Sequence, residues 1–207
     1  LRGAKYVGAN RSSEMVEAAA IALAEPQSFT YLYINALDHA GHTDGVGSEK
    51  WLIALSQVAE LITSLVAKLP RNTDLYVTAD HGMVNVGEKI VLGKDNELMQ
   101  NISLVGGEPR ARHMYLTPGT LHETVALWRE VLGVRASIYT KDELIEEQLF
   151  GPVLSPESFE RMGDFIAIAH EELILIDPSR TAQESAMVGH HGGVTSSETA
   201  IPLLKFL

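Results

Sequence analysis

Residues 30–42 read TYLYINALDHAGH, and the fold turns on how that stretch divides. Its first part lies within SFTYLYIN (28–35), aromatic and β-branched, which reads as a strand. Its second part crowds Asp38, His39, Gly41 and His42 together and runs on into Asp44 and Gly45. A strand that opens abruptly into ionisable side chains fits an α/β sheet, where functional groups collect in loops at the carboxyl ends of strands.

The flanking pattern extends this reading. SEMVEAAAIALAE (13–25) is helix-prone and Pro26 stops it. SEKWLIALSQVAELITSLVAKL (48–69) reads as a long helix closed by Pro70, with Leu52, Leu55, Ala59, Ile62, Leu65, Val66 and Leu69 at three- and four-residue spacing. TDLYVTA (73–79) is a second strand. Strand, loop, helix, strand predicts a βαβ unit and a mostly parallel sheet flanked by helices. The middle of the chain is mixed: a helix at 120–133, a strand at 136–140, a helix at 141–151, and two strands, DFIAIAH and ELILID, expected to pair. We therefore expect an α/β core from residues 1–87 and 179–207, with 88–178 as an inserted α+β subdomain.

Bulk properties exclude several classes. The 207 residues carry 45% hydrophobic and 21% charged side chains, an ordinary globular balance. A net charge of −11 argues against gripping a nucleic-acid backbone, which needs a basic footprint. No apolar run approaches the ~18 residues of a membrane span, so none is expected. With no cysteine, thiolate metal sites and cysteine nucleophiles are excluded.

The chemistry concentrates in three stretches. Five of the eight histidines, His39, His42, His81, His190 and His191, fall in ALDHAGH, ADHGM and GHHGG. Asp38 and His42 are four apart; if that loop turns helically they share one face, and Gly41 eases the bend. Asp80 and His81 are adjacent, with Gly82 freeing the chain from strand geometry. Taken singly, each stretch is accounted for by a polar turn. Together they offer one ligand chemistry, oxygen and nitrogen without sulfur, which suits zinc and also manganese or iron.

In this order, LDHAGH, TADHGM and GHHGG with the later IPLL resemble the metal motifs of the alkaline phosphatase superfamily. More narrowly they resemble its type I phosphodiesterase/nucleotide pyrophosphatase branch, as do GGEPRARHMYL and FGP in the middle. The resemblance implies two divalent metals, zinc or else manganese. Asp38, His42 and His191 would hold the first, His191 being taken over His190 because it directly precedes glycine. Asp80 and His81 would hold the second. It also implies a further aspartate ligand and a Thr or Ser nucleophile on a preceding segment, so no catalytic nucleophile is expected within this chain, its second metal site would be incomplete, and the chain alone would be inactive. The implied substrate is a small phosphorylated molecule such as a nucleotide, split through a covalent phospho-enzyme intermediate. The same motifs serve phosphomonoesterases, sulfatases and phosphoglycerate mutases, and a non-catalytic metal- or partner-binding fragment is the remaining reading.

Other polar residues carry weaker signals. Arg110 and Arg112 could reach a substrate phosphate, but a solvated pair at a strand start is the favoured reading. Trp51 and Trp128 read as core anchors, and Glu143, Glu146 and Glu147 as a solvated helix face.

Overall fold

A computed structural model describes residues 2–206. In chain order the elements are α1 (Ser12–Leu23), α2 (Ala36–Asp44), α3 (Glu49–Lys68), β1 (Leu75–Thr78), β2 (Val84–Asn85), β3 (Glu88–Val91), β4 (Ile102–Glu108) and β5 (Ala111–Leu116). There follow α4 (Leu121–Leu132), β6 (Ala136–Thr140), α5 (Lys141–Glu146), α6 (Pro156–Arg161), β7 (Phe165–Ala169) and β8 (Leu173–Ile176). The chain closes with α7 (Thr181–Ala186), β9 (Gly189–His190), α8 (Ser196–Thr199) and β10 (Leu203–Phe206). Two compact units result. One takes the residues up to Ala40, Gly47–Asp80 and Ile201 onward; the other takes Gly41–Val46 and His81–Ala200.

In the first unit, α1 and α3 pack through Val16, Ala19, Leu61 and Leu65, with Leu32, Ile34, Leu69 and Leu75 against them. Ser48 caps α3 by accepting the Trp51 amide at 3.2 Å, and the helix ends before Pro70 as its sequence requires. The buried face of α3 is Ala54, Leu61 and Leu65; Leu52, Leu55 and Val66 of the expected stripe are exposed. The polar residues Glu49, Lys50, Ser56, Gln57, Glu60, Ser64 and Lys68 share one side of this helix, and the apolar arc opposite is wider than the buried strip, so spacing alone does not select which part of that arc turns inward. By length and composition the helix could cross a membrane, with a mean hydropathy of 1.3, which corrects the expectation that no segment reaches that threshold.

The expected strand at 28–35 is a second correction. Burial alternates through Phe29–Asn35 as it would in a strand, yet the segment makes no ladder among the described residues. Leu32 and Ile34 point inward, whereas Phe29, Tyr31 and Tyr33 face out. Side-chain alternation needs only extended backbone; a ladder needs a partner alongside. β1 pairs antiparallel with β10, Leu75 opposite Phe206 through Thr78 opposite Leu203. The only parallel ladder among the described residues is β3 with β8, so the mostly parallel sheet expected from the βαβ pattern is not seen in these ladders.

The second unit is built on a four-stranded antiparallel sheet of order β4-β5-β7-β6. α4 lays Val125, Trp128 and Leu132 on the core of Met114, Phe165, Ala167, Ala169, Leu173 and Leu175. Trp128 is fully buried, donates to the Leu98 carbonyl at 2.8 Å and meets Phe165 edge-on, as its sequence reading anticipated; Trp51 is only half-buried. The expected pairing of 164–170 with 172–177 does not form. Both edges of β7 are taken by β5 and β6, so β8 leaves that sheet and pairs with β3.

Candidate metal centre

The loop expected at 36–45 is a nine-residue helix, α2. It places Asp38 and His42 one turn apart on a shared face. Gly41 lies within the regular helix, so it does not bend the chain. The Gly189 backbone packs so closely that a Cβ on Gly189 would stand 2.5 Å from the Gly41 carbonyl oxygen.

Three contacts join the end of α2 to β9. The Val188 amide donates to the His42 carbonyl at 2.7 Å, the His42 Nδ1–H donates to the Gly189 carbonyl at 2.8 Å, and Gly189 packs on Gly41. A carbonyl can only accept, so His42 Nδ1 carries a proton and Nε2 is the ring atom that can turn toward a metal. This is the arrangement by which backbone carbonyls orient ligating histidines. β9 pairs antiparallel with β2, Val84 opposite His190 and Asn85 opposite Gly189, which brings the DHGM stretch alongside GHHGG.

The histidine rings gather accordingly. His81 and His191 stack with centroids 3.6 Å apart at 17°, and His42 lies 5.1 Å from His191. Ligand atoms of Asp38, His42 and His191 all lie within 4.8 Å of one another, and each residue is half-buried. One carboxylate oxygen and two imidazole nitrogens match the donor set of a catalytic zinc. Asp80 and His81 fall outside this group of three: His81 is held on His191 with its Nδ1–H on the Gly82 carbonyl at 2.8 Å, and Asp80 is exposed.

His190 takes a different role from its neighbour. It is buried and its Nε2–H donates to the Glu184 carbonyl at 3.1 Å. Burial, chiefly, holds its imidazole below the usual value. His39 is exposed.

Arg110 and Arg112 correct both of their sequence readings. They are 0% and 1% exposed, neither solvated nor directed at a substrate. Arg110 donates in a fork to Glu198, Nε at 2.9 Å and Nη2 at 2.8 Å. Its Nη1 serves the carbonyls of Glu171 and Leu173, at 2.8 and 2.7 Å. Arg112 pairs with Glu184 and donates to the carbonyls of Leu175 and Gly107. Glu198 and Glu184 were not singled out in the sequence. Thr195-x-x-Glu198 is legible as a capping box at the start of α8, but the arginine that shares its carboxylate lies 88 residues away.

Residues 5–194 match the family model described as type I phosphodiesterase / nucleotide pyrophosphatase. The chain belongs to that family. Among its relatives, human GPI ethanolamine phosphate transferase 3, catalytic subunit, is 36% identical over 75 residues, which is 36% of this chain and 7% of the transferase. Solved structures of ectonucleotide pyrophosphatase/phosphodiesterase 5 share the fold of this family member. The murine protein, in an inactive form complexed with AMP, superposes with a TM-score of 0.71 at 18% identity, and the human protein with 0.70 at 18%. Each alignment covers 98% of this chain and 54% of the neighbour, so the chain spans about half the length of the structures it matches.

Proposed function

We propose that this chain supplies the metal-binding part of a phosphoric ester hydrolase of the phosphodiesterase/nucleotide pyrophosphatase type. The observation that carries the reading is the convergence of Asp38, His42 and His191 donors within 4.8 Å in a chain of that family. Asp38 contributes a carboxylate, His42 an imidazole oriented by the Gly189 carbonyl, and His191 a second imidazole. Asp80 and His81 are the ligands this reading gives to a second ion. Zinc fits the donors best and manganese next; when bound, a divalent ion supplies charge stabilisation for a phosphoryl oxygen and a leaving oxygen. The α/β core is assigned to 1–87 and 179–207, and 88–178 is the inserted α+β subdomain.

The substrate class is a nucleotide-like phosphoric ester, supported by the AMP complex of the murine neighbour. In this reading a Thr or Ser outside these 207 residues attacks phosphorus, the ester oxygen leaves, and water then opens the phospho-enzyme. The local likeness to the human transferase favours one variant, in which an acceptor hydroxyl replaces water in the second step. A phosphodiester incubated with and without an alcohol acceptor separates the two by product.

Titration calorimetry with zinc and with manganese tests the centre directly. The chain should bind at least one ion per molecule, and Asp38→Ala and His191→Ala should each abolish the tighter event. No affinity for either ion, or undiminished affinity in both variants, would sink the reading.

A further inference from the structure

We propose that Glu198 is a positioning residue for the metal centre, fixing with Arg110 the two loops that carry His191 and His81. The inference rests on the metal reading above and adds a residue outside its ligand set. Glu198 is 2% exposed and every bond of its side chain goes to one of two places. One is the fork from Arg110. The other is the loop after His191: the Gly193 amide donates to Oε1 at 2.8 Å and the Thr195 hydroxyl to Oε2 at 2.6 Å. Its main chain then holds the other histidine loop. The Gly82 amide donates to the Glu198 carbonyl at 2.7 Å, and the Met83 amide to the Ser197 carbonyl at 3.1 Å.

The two loops thus meet at one residue, and their rings stack at 3.6 Å. Glycine permits the approach: a Cβ on Gly82 would stand 2.0 Å from the Ser197 carbonyl oxygen, and one on Gly193 2.8 Å from Glu198 Oε2. Arg110 is itself immobilised. Its Nη1 caps the turn between β7 and β8, where Glu171 is held at φ +44° with its carbonyl turned toward the guanidinium. The carboxylate is therefore anchored to the sheet core through an arginine whose own position is fixed. The Thr195 bond also closes the capping box of α8; the Gly193 amide on Oε1 and the Gly82 amide on the main-chain carbonyl go beyond that box and tie the same residue to the chain just past each histidine.

Glu198→Gln tests this. The amide nitrogen puts a donor where Arg110, Gly193 or Thr195 also donates, while the side-chain size is kept. Two readouts are needed, zinc affinity by calorimetry and the histidine ring resonances of the metal-free protein by proton–carbon NMR. Wild type should show the upfield ring-current shifts of the stacked pair. Glu198→Gln should lose them and bind zinc about 10- to 100-fold more weakly, the usual effect of removing a group that orients metal ligands. Trp128→Phe is the control for stability alone, since it lies in the core of the four-stranded sheet; it should leave ring shifts and affinity unchanged. Thr195→Val, a milder change, should show a smaller loss in the same direction and serves if Glu198→Gln does not fold. Undisturbed ring shifts in both loop variants would overturn the inference, as would wild-type zinc affinity in them. A wild type that shows stacked rings but binds no metal would instead overturn the functional reading, and the ring shifts would still decide the role of Glu198.

Discussion

At the scale of single residues, adjacent histidines separate by their hydrogen bonds. His191 offers a ligand atom to the group of three, whereas His190 spends its Nε2–H on the Glu184 carbonyl in the interior. His191→Ala should remove metal affinity and leave the melting temperature of the metal-free protein nearly unchanged. His190→Ala should do the reverse, costing about 1–3 kcal/mol because a buried carbonyl loses its donor; urea titration beside calorimetry reads both. Arg110→Met leaves the Glu198 carboxylate buried and unpaired, and should cost about 3–5 kcal/mol in the same urea assay. Asp38 and His42 were legible in the sequence because four-residue spacing becomes one helical face. The arginines were not, since a charged side chain reads as solvated until its partner is known. Arg110 and Glu198 are 88 positions apart and Arg112 and Glu184 are 72 apart.

At the scale of elements, local signals succeeded where the cause was local. Ser48 and Pro70 bracket α3, and a capping box opens α5 with Thr140 and Glu143. The same box, with Arg129 on Glu143 at 2.7 Å, makes Glu143 more than a solvated surface group. Pairing was not legible because ladders depend on which edges remain open. The run 29–35 carries a strand's alternation without a ladder, and β7 and β8, neighbours in sequence, part because β7 has no open edge. Which face of α3 turns inward was hidden for a related reason, an excess of apolar residues. α4 had no such excess, and its Trp128 is the largest fully buried side chain. Trp128→Ala should cost about 3–5 kcal/mol, measured as a lower urea midpoint at unchanged slope.

At the scale of the whole molecule, acid should be the sensitive direction. The carboxyls of Glu198, Asp177 and Glu143 all lie below their usual values. In each, burial opposes the charge and is outweighed. For Glu198 the donors are Arg110, Thr195 and the Gly193 amide; Asp177 accepts from Ser179 and feels the charges of Arg112 and Arg180; for Glu143 the donors are the Thr140 amide and Arg129. A carboxyl whose folded value is depressed contributes stability that is complete above its unfolded value, 4.5 for glutamate and 3.8 for aspartate. That contribution is lost as pH falls through the folded value. The melting temperature of the metal-free protein should thus start to fall below about pH 6.5, where the unfolded chain protonates His190 and His113 while burial holds their folded values lower, and fall further below about pH 5 as these carboxyls take up protons. Glu198→Gln should start lower and fall less steeply over the acid range. A steeper fall in that variant would show that Glu198 is not among the responsible groups.

The ladder of β1 with β10 also sets an order of events during synthesis. Thr78 faces Leu203, so a ribosome that has delivered β1 must add about 125 further residues before the partner strand exists. At roughly 5–20 residues per second that is about 6 to 25 s. Throughout this interval Leu75 and Val77 await their partners, while every ladder of residues 81–200 can close once His190 has emerged, before β10 exists. The helical unit that appears first is therefore the last to close.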